Sequence, residues 1–225
     1  MKKCLQVILF MTCADIAMAQ GSREYIREAI EEWGSCRNVA VTLTGGDIAL
    51  NWNNAYAYYG IPSDLAESLD ELHEDGKYID DVQLTEDGNW LILYGDNGFV
   101  WNGIPYSLEH KIREYNDEGE VVTSVTFNDC GDWIVISQEH ISASTSEIYE
   151  WIEDGIKRYG QLWSAHLTDD GMVLCYERGY KYLGNVPDNL KEALSESELD
   201  VYRIKFLSDG TYFFSDMDGY YEYYM

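Results

Sequence analysis

Five glycine turns recur along this chain at nearly constant spacing, and such a period restricts it to a repeat architecture. The turns carry Gly46, Gly88, Gly131, Gly171 and Gly210, separated by 42, 43, 40 and 39 residues. Thr85-Glu86-Asp87-Gly88-Asn89-Trp90 matches Asn128-Asp129-Cys130-Gly131-Asp132-Trp133 position by position. Thr168-Asp169-Asp170-Gly171 and Leu207-Ser208-Asp209-Gly210 share the frame, and the shorter Thr44-Gly45-Gly46 opens the series. Asp-Gly supplies the positive φ that a tight hairpin needs.

An alternating apolar segment precedes each turn, as in Val39-Ala40-Val41-Thr42-Leu43 and Val125-Thr126-Phe127. That alternation predicts a strand with one buried face. A more uniformly apolar strand follows each turn, such as Trp90-Leu91-Ile92-Leu93-Tyr94, and then an aromatic one, such as Gly179-Tyr180-Lys181-Tyr182. Ahead of the strands, apolar residues fall at i, i+4, i+7 (Ile26, Ile30, Trp33; Leu65, Leu69, Leu72; Leu108, Ile112, Tyr115), which predicts a helix with one apolar stripe. Pro62, Pro105 and Pro187 mark helix starts, Ser144 with Glu147 reads as a capping box, and Gly34, Gly76 and Gly119 follow helix ends.

The fold class is therefore an α+β repeat protein of five helix-plus-three-strand units, at about 22–61, 62–104, 105–143, 144–186 and 187–225, in one domain spanning 20–225. A single unit cannot bury its apolar face, so neighbours must stack. Closure into a ring is favoured over an open solenoid, because the aromatic strand Tyr220 to Met225 needs cover and the first unit can supply it. The layout is similar to the five-fold α/β rings of the pentein type, whose unit is a cyclic permutation of this one, and the Asp-Gly-x-Trp hairpins resemble β-propeller blades. Enzymes of the pentein type carry a cysteine near the chain end; this chain has none there.

Charge and the first residues set the environment. Fifteen Lys and Arg against 41 Asp and Glu give a formal net charge of −26, which opposes nucleic-acid backbones and anionic lipid and favours basic partners. Lys2 and Lys3, the apolar run Leu5 to Cys13 and the small-x-small site Ala17-Met18-Ala19 read as a signal peptide over 1–19, hence an exported protein, periplasmic or extracellular. Lipidation at Cys13 is the rival, with Phe10-Met11-Thr12 a poor lipobox. No other stretch has the length of a membrane helix. Cys36, Cys130 and Cys175 remain after cleavage: an odd set that reads as one disulfide plus a spare, or as three buried small hydrophobes.

Internal repetition separates structural from functional candidates: a feature present in every unit belongs to the fold. Asp87, Asp129, Asp169, Asp170 and Asp209 recur at turns and read as turn chemistry rather than calcium ligands, although Asp216-Met217-Asp218-Gly219 resembles half a calcium loop. His73, His110, His140 and His166 are scattered without metal-ligand spacing, so no metal or cofactor is expected. Cys175 and His166 stand on adjacent strands and would form a nucleophilic couple if they faced each other. Trp52, among Asn51, Asn53 and Asn54, and Trp163, where other units carry Asp80, Thr123 or Tyr202, break the repeat and are candidate binding residues together with His166. These observations support a non-enzymatic binding module for basic proteins or cell-envelope glycans. The alternatives are a hydrolase whose groups converge from different units and a calcium-stabilised spacer.

Overall fold

The computed structural model describes residues 15–225, with side chains from Gly21 onward except Ser22. The basic start and apolar run of the signal peptide, and Cys13, lie outside the described residues. The first unit holds α1 (Asp15–Trp33), β1 (Asn38–Val41), β2 (Asp47–Leu50) and β3 (Tyr56–Tyr59). The second holds α2 (Ser63–Glu74), β4 (Ile79–Leu84), β5 (Trp90–Tyr94) and β6 (Gly98–Asn102), and the third α3 (Tyr106–Glu118), β7 (Val122–Phe127), β8 (Trp133–Ser137) and β9 (Ile141–Ala143). The fourth holds α4 (Ser146–Tyr159), β10 (Leu162–Leu167), β11 (Gly171–Tyr176) and β12 (Gly179–Gly184), and the fifth α5 (Asp188–Glu196), β13 (Arg203–Phe206), β14 (Tyr212–Ser215) and β15 (Tyr221–Tyr224). In every unit the three strands form one antiparallel meander in sequence order.

Local chemistry explains these elements. Pro62, Pro105 and Pro187 stand at the N-caps of α2, α3 and α5, where a missing N–H costs nothing. The fourth helix departs from the expected capping box. Its cap is Thr145, whose side chain accepts from the Ile148 amide, while Ser144 Oγ donates to Asp132. The hairpin glycines also divide. Gly88, Gly131 and Gly210 take positive φ, and in the first unit Gly45 rather than Gly46 does so. Gly171 does not; there a side chain would collide with the Asn185 carbonyl, so close backbone approach selects glycine. Trp90 and Trp133 are equivalent in three dimensions: each is buried, and each indole N–H donates to the second residue of its own unit's helix, Asp64 and Ser107.

The core consists of five apolar clusters, each between two sheets and one helix. The sheet β1–β3 meets β4–β6 over α2 (Leu50, Leu65, Leu69, Ile92). Equivalent clusters join the second and third units around Leu108 and Ile112, the third and fourth around Ile152 and Leu174, and the fourth and fifth around Leu190 and Phe206. The fifth cluster brings Phe213 and Leu207 of the last unit against Ile26, Ile30, Val39 and Ala49 of the first, with Tyr221, Tyr223 and Met225 packed on it. Polar contacts follow the same junction. The Cys36 amide donates to the Gly219 carbonyl at 3.1 Å and Ser215 Oγ to the Arg37 carbonyl at 2.7 Å. Arg23 joins Asp47, the Thr42 carbonyl and Thr211. Each first strand lies beside its neighbours' first strands: β1 by β4 and β13, β7 by β4 and β10, β10 by β13.

Candidate functional site: an acidic, apolar-walled mouth on the axis of the first strands

On the face that each sheet turns to the next unit, second-strand residues are apolar (Ile48, Leu91, Ile134, Val173, Phe213), but their first-strand partners, Ala40 of the first unit excepted, are polar. One level carries Asn38, Asp81, Ser124, Ser164 and Arg203; the next carries Ala40, Gln83, Thr126, His166 and Lys205. Apart from half-buried His166, all of these are buried. Buried polar groups require partners, and most find them across units. Asn38 Nδ2 donates to Asp81, whose carboxylate also accepts Gln83 Nε2 at 3.1 and 3.0 Å. Lys205 Nζ donates to Gln83 Oε1 at 2.6 Å, and Arg203 Nη2 to the Thr123 carbonyl at 2.9 Å. The last two bonds link the fifth unit to the second and third, which are not its chain neighbours.

This first-strand core is electrically unusual. Burial pulls the Lys205 ammonium down to about 8, against an upward pull from Asp81. Burial also drives His166 well below the ordinary imidazole range, and Lys205 adds to the effect. His166 is therefore neutral at pH 7; with Nε2 at 3.2 Å from the Phe206 carbonyl, that nitrogen carries the proton and Nδ1 is a bare acceptor. Nδ1 is buried without a partner.

Above His166 the five hairpin turns surround a cavity of about 240 Å³. Gln83 and His166 lie at its base. Val41, Leu43, Leu84, Phe127, Leu167 and Leu207 supply apolar walls from all five units, and Glu86, Asp129, Asp169 and Asp170 supply carboxylates. These carboxylates are held by neutral donors. Glu86 accepts the Leu43 and Thr44 amides of the preceding unit at 2.6 and 3.4 Å. Asp129 accepts Thr85 Oγ1 at 2.5 Å, Asn89 Nδ2 at 2.9 Å and the Asp87 amide at 3.1 Å, and Asp169 accepts the Asp129 and Cys130 amides at 3.0 and 3.3 Å. The recurring turn acid is thus a clasp from one unit to the one before it. Among the described residues no Lys or Arg forms an ion pair with any of the four. Their field reaches the exposed Cys130 thiol, which Asp169 above all pushes above its usual pKa.

Of the candidate residues, His166 belongs to this cavity and the two tryptophans do not. Trp52 is 40% exposed in the β2–β3 loop and rests on Gly219, where any side chain would strike its indole. Trp163 is half-buried at the register shift of β10, between Leu162 and Ser164. The Cys–His couple does not form. Register sets Cys175 against Ser164 and His166 against Val173, and Cys175 is fully buried in the cluster of the fourth and fifth units, which raises its thiol pKa. Cys36 is likewise buried and pushed up to about 12, whereas Cys130 is exposed; all three are free thiols, so neither a disulfide nor three buried cysteines describes them. Asp216 serves its own turn, accepting the Asp218 and Tyr220 amides at 2.9 Å each. No cluster of three or more His, Cys, Asp or Glu among the described residues is arranged to hold a metal. No described helix is long and apolar enough to cross a membrane.

In the sequence, recurrence marks the wall residues and the turn carboxylates as structural, and no local signal singles them out as a site. They are structural, and they also converge.

No protein family matches this chain, and no curated protein does. Among solved structures it is similar to a chain described as YCF48 bound to D1 peptide, at 9% identity and a TM-score of 0.28, over 84% of this chain and 50% of that one. It thus spans half the length of that structure.

Proposed function

We propose that this protein is an exported binding module whose five units close into a ring and whose axial mouth receives a basic segment of a partner protein. One observation carries the reading: four carboxylates without cationic partners stand over an apolar cavity to which every unit contributes. Uncompensated carboxylates over low-dielectric walls attract cationic groups and disfavour anions. The overall charge of −26 acts in the same sense at long range. Closure is supported by the fifth apolar cluster, since an open stack of five units has four interfaces, and by the Lys205–Gln83 bond across the axis. Export rests on the first nineteen residues, read as above.

The test of binding is titration calorimetry of the full chain with a lysine-rich peptide and with its glutamine counterpart. Binding of the lysine peptide alone, weakened by Leu43→Lys at the exposed rim, supports the reading; equal behaviour of both peptides removes it. Closure is tested by hydrogen exchange. The Cys36 amide, bonded to Gly219, should be as protected as the amides joining consecutive units, and rapid exchange there would mean an open stack. A second reading places an envelope glycan on Trp52, whose half-exposed indole is backed by the Gly219 backbone. Unchanged glycan retention by Trp52→Ala would dismiss it.

A further inference from the structure

Resting on that reading, we infer that the mouth recognises a particular pattern: one large apolar side chain, inserted into the cavity, with basic residues on both sides of it. The order of chemistry along the axis carries this. Carboxylates (Glu86, Asp129, Asp169) form the outer layer, aliphatic and aromatic groups the walls, and neutral Gln83 and His166 the base. At the same strand level as the base lies the buried Lys205 ammonium, bonded to Gln83. A cation entering head-first would leave the carboxylates, cross an apolar wall and approach a buried positive charge. Each of those steps is unfavourable. An apolar tip meets none of these penalties, and it lets flanking ammonium or guanidinium groups remain in the outer layer.

Size points the same way. A cavity of about 240 Å³ is below the range of drug-sized ligand sites and suits a single anchoring side chain. Leu43 lines the cavity and is 43% exposed, so the rim presents apolar surface that an apolar occupant would cover. The rim carboxylates are already fixed by backbone amides of adjacent turns, so binding need not order them. The occupant is therefore a basic–apolar–basic segment of a partner protein.

The experiment is calorimetry on the full chain with three capped pentapeptides: Lys-Lys-Leu-Lys-Lys, Lys-Lys-Ser-Lys-Lys and Gln-Gln-Leu-Gln-Gln. The leucine peptide is expected to bind about 10- to 100-fold more tightly than the serine peptide, as burial of one large aliphatic side chain implies. That ratio should persist at high salt while both affinities fall. Leu43→Lys, at an exposed position and checked for unchanged circular dichroism, should reduce binding of the leucine peptide. Equal binding of the leucine and serine peptides overturns the apolar anchor while leaving a basic-partner module standing. Failure of both lysine peptides, or preference for the glutamine peptide, overturns the module itself. A gain in Cys130 alkylation rate on adding the leucine peptide, absent with the glutamine peptide, would place the cations at the rim; no change there with saturating peptide places binding elsewhere and sinks the proposal.

Discussion

Lys205 Nζ donates to Gln83 Oε1 at 2.6 Å, and this bond crosses 122 residues to tie the fifth unit to the second. Both side chains are buried, at 4% and 5% exposure, so the bond joins two polar groups largely withdrawn from solvent. Gln83 in turn donates to Asp81, so one amide connects a buried ammonium with a buried carboxylate. Removing one member of such a chain strands the others.

Gln83→Leu is expected to destabilise the fold by about 3 kcal/mol, because both buried charges lose a partner. Lys205→Met should cost less, since it deletes a desolvated charge along with the bond. The double variant should recover part of the Gln83→Leu loss, giving a coupling energy of about 1 kcal/mol or more in a urea double-mutant cycle. Strict additivity would show that the two residues do not interact.

The same ammonium makes stability depend on alkaline pH. Lys205 has a folded pKa of about 8 against an ordinary 10.5. Between those values the unfolded chain holds a proton that the folded chain has released, so stability rises with pH through that window. Below pH 8 the folded state bears the full cost of the buried charge, about 3 kcal/mol at 1.36 kcal/mol per pKa unit. Tyrosines such as buried Tyr176 and half-buried Tyr182, raised above their usual value, pull the other way above pH 10. The difference in stability between wild type and Lys205→Met isolates the lysine: wild type should gain stability relative to the variant from pH 8 to pH 10.

Asp129 clasps the second unit's turn through three donors, Thr85, Asn89 and the Asp87 amide. Asp129→Ala is expected to cost about 1–3 kcal/mol, as loss of hydrogen bonds to a charged acceptor does. In hydrogen exchange the added opening should concentrate in the two turns that the clasp joins, because repeat stability is carried by nearest-neighbour interfaces. A uniform rise in exchange across all five units would contradict a local clasp.

Cysteine chemistry should sort by position. Cys130 is exposed, but Asp169 opposes its thiolate, so alkylation at pH 8 is expected to be slower than for an unperturbed thiol. Asp169→Asn should speed it several-fold. Cys36 and Cys175, both fully buried, should react only on unfolding. Rapid labelling of either in the native state would be incompatible with the packing described.

Much of this was legible in the residues. The period of the glycine turns places every unit, and apolar spacing at Leu65, Leu69 and Leu108, Ile112 places each helix stripe, because helix and strand periods are local properties of the chain. The equivalence of Trp90 and Trp133 could be read the same way and extends to their indole hydrogen bonds. The cap of α4 falls one residue beyond Ser144, because Ser144 and Thr145 are both competent and the partner offered by Asp132 draws Ser144 away.

The sequence by itself determined the unit, its copy number and the charge; its alternation predicts one buried face on each first strand, whereas both faces are buried in the structure. Tertiary structure alone decided what the inward polar residues meet. Gln83 and Lys205 look like ordinary exposed positions in their own strands. They become buried partners because the first strands of different units lie beside one another, a long-range arrangement that no local period encodes. The same convergence brings five separate turns around one cavity, so residues that repetition marks as structural also line a cavity to which every unit contributes.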